Sequence, residues 1–373
     1  MVHERPGYSC DGRLFELCQN TPEHETRFDA LLQEVTSEAA DQKIAAVLGI
    51  FARQRRGSLA IRFFEATRKK GIAIRRTDYL VGVGISSSAK LKMWQQALQF
   101  FEAMPAVSVD CAVIGYSAAI GACAKGGQWQ IAQKLLEDML EWTDPNVVSY
   151  NGAISACDKG GRWKEALILF DAMSRSRVLP DQITYVSAIG ACAKAEQWQE
   201  GLKLFEAMPK SRVQPTLSCC NAAISACEKG GQWQEALSLF DAMPKSHILP
   251  TVISYSAAIS ACDKGGEPQR ALNLFEAMRR AKVDPNIISY GAAISACETG
   301  GLWEEALDLF QSMPQASVES NLVTFNAAIS ACTVGGQWQL ATSLLECMRR
   351  VQIEPDAVTY RATIGAFGLG EML

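Results

Sequence analysis

The sequence's thirteen cysteines and eight tryptophans are the residues best equipped for chemistry, and most of both are evenly spaced. Cys123, Cys157, Cys192, Cys227, Cys262, Cys297 and Cys332 recur every 34 or 35 residues. Trp94, Trp129, Trp163, Trp198, Trp233, Trp303 and Trp338 do likewise, with Pro268 in the remaining slot. Regular thiols suggest metal ligation, redox pairing or nucleophilic catalysis, and the spacing argues against each. No Cys-x-x-Cys pair exists, and the adjacent Cys219 and Cys220 do not have zinc spacing. Equivalent positions on stacked helices lie ~8–10 Å apart, beyond the ~7 Å reach of a disulfide. A thiolate mechanism needs a base, and the only histidines are His3, His24 and His247. His247 occupies a place taken by Arg177, Arg212 and Lys282 in neighbouring intervals, which suggests a solvated tip. The zinc-deaminase pattern is missing. GVGISSSAK at 82–90 lacks the GxxxxGK[ST] frame of a phosphate loop and falls in phase with GAISACDKG of a later interval. The regular cysteines therefore read as small buried hydrophobes in a reducing compartment.

The spacing comes from a repeat. NVVSYNGAISACDKGGRWKEALILFDAM at 146–173 returns as NIISYGAAISACETGGLWEEALDLFQSM at 286–313 and NLVTFNAAISACTVGGQWQLATSLLECM at 321–348, a period of 35. With Val147 as place one, eight units span 78–356, the second (113–146) being one residue short. The expected organisation is a divergent leader at 1–40, a degenerate basic repeat at 41–77, the eight units, and a partial repeat at 357–373.

Each unit predicts two helices. Tyr150, Ala153, Ile154 and Cys157 share one apolar face, and Trp163, Ala166, Leu167, Phe170 and Met173 share another. Ser149 and its counterparts Thr184, Ser254, Ser289 and Thr324 are expected as N-caps. Gly160-Gly161 should end the first helix, and Pro180 should break the chain before the next unit. Helices this short must stack on their neighbours to bury those faces, which gives an all-α solenoid.

Composition fits a packed protein: 48% hydrophobic and 20% charged residues, with a net charge of −4, exclude collagen-like and disordered classes. No apolar run is long enough to cross a membrane. The amino-terminal fifty residues show no secretory signal and are too acidic for an evident transit peptide.

Against the constant core places, others vary. Place five reads Gly82, Ser117, Asn151, Val186, Asn221, Ser256, Gly291, Asn326. Place thirty-five reads Ala112, Asn146, Asp181, Thr216, Thr251, Asn286, Asn321, Asp356. Place two is mostly branched and apolar (Ile114, Val148, Ile183, Ile253, Ile288, Val323), with Tyr79 and Ser218 departing. Such residues suit helix starts, and equally suit a variable polar pair presented once per unit to a linear polymer.

The frame VVSYNGAISACDKGGRWKEALILFDAMSRSRVLPD resembles the 35-residue motif of pentatricopeptide repeat proteins over about three quarters of the chain. The resemblance implies a right-handed superhelical solenoid that binds single-stranded RNA, one base per repeat, without catalysis, cofactor, metal or small-molecule substrate. It implies that places five and thirty-five read bases while place two packs against base faces. Asn151/Asp181 and Asn326/Asp356 then resemble uracil-preferring pairs. Ser117/Asn146 and Ser256/Asn286 resemble adenine-preferring ones, and Asn221/Thr251 leans towards a pyrimidine. Gly82/Ala112, Val186/Thr216 and Gly291/Asn321 leave their bases open, so the implied target is N-A-U-N-Y-A-N-U. A chloroplast or mitochondrial role in RNA processing, stability, editing or translation, with protein partners, is also implied; a cytoplasmic setting is the alternative. A protein-binding scaffold holding an extended peptide is the competing function, and an enzyme whose catalytic domain lies outside this chain is a third.

Place thirteen carries Lys90, Lys125, Lys159, Lys194, Lys229 and Lys264, then Thr299 and Val334. These lysines suit the C-terminal end of a helix dipole and, equally, RNA phosphates. Acids at place twelve (Asp158, Glu228, Asp263, Glu298) should weaken that field, while most others fall on second helices, expected on the convex side. Residues 53–76 carry a local charge of +8, which either extends an RNA path or forms a solvated face.

Overall fold

The computed structural model describes residues 16–18, 21, 28–35, 40–54, 56–70, 94–102 and 109–370. Gly82 and Lys90 lie outside these residues, as does the side chain of Ala112. Among the described residues the regular elements are helices, and none is long and apolar enough to cross a membrane. The chain forms an all-α solenoid of helix–turn–helix repeats, divided into two compact units, Met1–Ala191 and Cys192–Leu373.

The first unit opens with helices Asp29–Val35, Ala40–Arg53 and Gly57–Lys69. Phe63 meets both Phe28 and Phe51 edge-on, at 5.6 and 6.2 Å. Part of the basic segment is structural here: Arg56 donates to the carbonyls of Cys18 and Thr21, and Lys70 pairs with Asp29 at 2.8 Å. Helices Trp94–Glu102, Val109–Lys125, Trp129–Trp142, Val147–Lys159 and Trp163–Arg175 follow, then Gln182–Lys194, which runs through the boundary. The second unit alternates Trp198–Lys210, Leu217–Lys229, Trp233–Lys245, Val252–Lys264, Pro268–Arg280, Ile287–Thr299, Trp303–Ser312, Leu322–Val334 and Trp338–Arg350, ending on Ala357–Gly370.

The helix starts differ from expectation. The N-cap is place thirty-five and not place three. Asn146, Asn286 and Asn321 have extended backbone, and their side chains accept the amide of the residue three on. Ser149 and its counterparts are the third helical residue, and in three repeats (Ser254, Ser289, Thr324) the hydroxyl closes a capping box from inside. Where place thirty-five is Ala112, which cannot cap, the helix instead begins earlier, at Val109.

Both helices end in the same way. Gly161 takes φ +66°, and the amide of Arg162 reaches back to the Cys157 carbonyl at 2.9 Å. The second helix closes equivalently through Arg177 at φ +56°, with Val178 donating to the Met173 carbonyl at 2.9 Å. The helix has therefore already ended before Pro180, which lies in the link to the next repeat.

Packing explains the constant places. Tyr150, Ala153, Ile154 and Cys157 are buried as predicted, but so are Ser149, Asn151 and Ala156, because each first helix is covered on more than one side. Place-24 aromatics meet the place-four ring of the next repeat edge-on, as in Phe170–Tyr185 at 5.1 Å and Phe275–Tyr290 at 4.9 Å. The seven regularly spaced tryptophans, expected in the core, are only half-buried, and Trp338 among them is exposed. They seal one repeat onto the turn of the next: a Cβ added at Gly160 would stand 2.6 Å from the Trp129 ring, and one at Gly265 would stand 2.2 Å from Trp233. Arg162 and Arg270 stack on the outer faces of these two indoles, at 4.7 and 4.6 Å.

Candidate nucleic-acid interface

The seven regular cysteines are buried, and burial pushes their thiols up, Cys123 to about 11, Cys157 and Cys297 to about 12. They are neutral at physiological pH and poor nucleophiles. Among the described residues no group of three or more His, Cys, Asp or Glu side chains is placed to hold a metal.

The variable places lie together at the start of each first helix. Place two points outward: Ile114, Val148, Ile183, Ile253, Ile288 and Val323 are between 57% and 64% exposed. Six branched apolar side chains thus recur exposed to solvent at one place of the repeat.

Beside it, places five and thirty-five meet. The Asn151 amide donates to Asp181 Oδ1 at 2.9 Å, and Asn326 donates to Asp356 Oδ1 at 3.2 Å. The Ser256 hydroxyl lies 3.4 Å from Asn286 Oδ1, with a shorter 2.7 Å bond to the Val252 carbonyl. Ser117 reaches Asn146 through Ser149, by steps of 2.8 and 3.0 Å. Asn221 is not bonded to Thr251 directly; Ser254 donates to it at 2.7 Å, and the Thr251 amide donates to Ser254 at 3.1 Å. Val186 is half-buried and brings no hydrogen-bonding group, while Thr216 stands at the N-cap position of the helix Leu217–Lys229, its hydroxyl 3.2 Å from Cys219 Sγ and not on a backbone amide. Gly291 offers no side chain, and Asn321 is an exposed cap.

Electrostatics keep the paired acids ionised. Burial works to raise the Asp181 carboxyl, but donors from the Thr184 amide, Asn151 and the Thr184 hydroxyl outweigh it and hold it below the usual carboxylate range. The Thr359 amide and hydroxyl do the same for Asp356.

Lys125, Lys159, Lys194, Lys229 and Lys264 are exposed at the opposite end of the first helices, about 12 Å from place five along the axis. The weakening expected from place twelve has a specific geometry in the second unit. Glu228 accepts from Ser260 at 3.0 Å and pairs at 2.7 Å with Lys264 of the next repeat. Asp263 is likewise bonded to Ser295, although burial raises its carboxyl overall. The residues that sequence reasoning missed are the place-three hydroxyls. Thr184, Ser254 and Thr359 each touch place five of the preceding repeat. Their constancy was visible, but capping alone accounted for it.

No curated protein sequence matches the chain. Among solved structures, the pentatricopeptide repeat protein PPR10 from maize matches with a TM-score of 0.53 at 17% identity, covering 97% of this chain and 62% of its own. The chain thus spans about three fifths of that protein's length. The same maize protein in complex with an 18-nt psaJ RNA element gives 0.49 at 17% identity, over 95% and 63% of the two chains. Yeast Rmd9p in complex with a 16-nt target RNA gives 0.39 at 11%, over 96% and 76%. Family descriptions match along the array: the PPR repeat family at 145–194 and 215–264, the pentatricopeptide repeat domain at 258–299 and 308–369, and the PPR repeat at 114–142, 183–213 and 288–318. With the 35-residue helix pairs that these matches cover, the chain belongs to the pentatricopeptide repeat family.

Proposed function

We propose that the chain binds single-stranded RNA with base selectivity, one nucleotide per repeat, and performs no chemistry on it. The observation that carries this reading is an exposed branched side chain (Val148, Ile253, Val323) beside a hydrogen-bonded polar pair (Asn151/Asp181, Ser256/Asn286, Asn326/Asp356) in three repeats, with the exposed branched residue alone recurring in three more. An apolar side chain suits the face of a base, and a polar pair suits its edge. Family membership supports the same conclusion, and the exposed lysines at the far end of the first helices are the groups assigned to phosphates in this reading. The proposed base readers are Ser117/Asn146, Asn151/Asp181, Asn221/Thr251, Ser256/Asn286 and Asn326/Asp356. The proposed setting is organellar RNA processing, stability, editing or translation.

Binding to octamers built on N-A-U-N-Y-A-N-U tests the reading. Lys159→Glu with Lys194→Glu should weaken every RNA alike and flatten the salt dependence. Asn151→Thr should instead change preference at the third base alone. Affinity that ignores both changes, and ignores salt, favours a peptide-binding scaffold. Crosslinking in vivo followed by sequencing of the attached RNA identifies the transcript.

A further inference from the structure

The Asn151 amide is held at both ends. Asp181 Oδ1 is a carboxylate oxygen and can only accept, so the amide NH2 must face it, 2.9 Å away. That turns the Asn151 carbonyl towards Thr184 of the next repeat, whose hydroxyl donates to it at 2.5 Å. Thr184 is fully buried, its oxygen accepts the Asp181 amide at 3.0 Å, and its hydroxyl stands closer to the Asn151 carbonyl (2.5 Å) than to Asp181 Oδ1 (3.0 Å), so the shorter of its two donor contacts goes to the asparagine. The arrangement recurs in the second unit. Thr359, also fully buried, accepts the Asp356 amide at 3.1 Å, and its hydroxyl stands 2.6 Å from the Asn326 carbonyl against 2.9 Å from Asp356 Oδ1. Ser254 does the same for Asn221. There, however, place thirty-five is Thr251, which brings no carboxylate to fix the NH2 end.

We propose that the place-three hydroxyl of the following repeat is a specificity-determining positioning residue for the place-five asparagine. It occupies one lone pair of the amide carbonyl and fixes the flip state. One N–H and one lone pair are left at set positions for a single base edge. Where the carboxylate is present the amide is locked at both ends; at Asn221 it is locked at one. The inference rests on the RNA-binding reading, because it concerns how that site discriminates.

Thr184→Val in the full chain removes the hydroxyl at nearly constant shape. Affinity is measured at fixed salt for octamers varied at the third base, with the sixth base varied as an internal control. The expected result is that the preference for uracil over cytosine at the third base falls about fivefold, the worth of one hydrogen bond. Preference at the sixth base should stand, and Thr184→Ser should restore the third. A uniform loss of affinity with the third-base ratio intact overturns the proposal, since it marks a structural role only. So does a valine variant whose sixth-base preference declines equally. A wild-type chain with no preference at the third base overturns the RNA reading itself and this inference with it. Wild-type discrimination that survives Thr184→Val overturns the inference alone.

Discussion

Replacing Ile253 and Ile288 together by alanine separates a contact surface from a packing surface. Both side chains are more than half exposed, at 62% and 61%, so their removal takes little from the folded core. Complete burial of an isoleucine is worth ~1.5–3 kcal/mol, and three fifths of that surface remains to be covered by a partner. Alanine keeps the Cβ, so each truncation should remove about 1 kcal/mol of binding energy. The pair then costs about 2 kcal/mol, roughly a thirtyfold rise in Kd. Fluorescence anisotropy on a labelled octamer, with urea unfolding of the same preparations, gives both quantities. The expected outcome is the thirtyfold loss of affinity with stability changed by less than ~0.5 kcal/mol. Unchanged RNA affinity, or unfolding at clearly lower urea, would refute the assignment of place two to base faces.

Four further outcomes follow from the packing and the charges. Gly265→Ala should destabilise by ~1–3 kcal/mol despite the entropy that alanine removes from the unfolded chain, because its Cβ would stand 2.2 Å from the Trp233 ring. Adding Trp233→Ala should relieve much of that clash in a urea-unfolding cycle, and additive costs would argue against the contact. Glu228→Gln should release Lys264, raising RNA affinity and steepening the log–log salt slope by up to ~1; an unaltered slope would leave Lys264 off the phosphate path. Among the described cysteines, a thiol reagent at pH 8 should label exposed Cys347 while the seven regular thiols, buried and held near 11–12, react only on unfolding, as mass spectrometry would register. Asp181 is held below its unfolded value of ~3.9, so its contribution to stability is present above that pH and is lost as pH falls through the folded value. Asp181→Asn should flatten this acid limb in urea midpoints measured from pH 6 to pH 3, and an identical limb in the variant would contradict the pairing.

The helix pairs were legible because period and burial go together: a face such as Tyr150, Ala153, Ile154 and Cys157 announces both the helix and its inner side. Places two, five and thirty-five could be recognised by comparing repeats within the chain. Other features were hidden because they are made across repeats. Nothing local to Thr184 distinguishes an N-cap from a third helical residue that touches an amide 33 positions earlier. Lys264 looks like a free cation until Glu228, 36 residues upstream in sequence, is found beside it. Trp233 reads as core from its type, yet it works as a lid whose flat side demands glycine at Gly265. Sequence periodicity reveals what each unit repeats. The joints depend on pairs about one period apart.

The residues that cap the first helices are the same ones assigned to reading bases, and this restricts what such an array can spell. In the seven places from Asn146 to Asp356 the residue at the helix start is always Asn, Asp or Thr, types favoured there, although the Thr216 side chain makes no cap bond. Where Ala112 stands instead, the helix start moves upstream to Val109. A substitution that rewrote a target base with a residue unable to cap, such as alanine, would cost ~0.5–2 kcal/mol of helix stability at the same stroke. Changes of target are therefore cheapest within the set of capping residues, and the vocabulary of the array is bounded by the physics of starting a helix before any nucleotide is consulted.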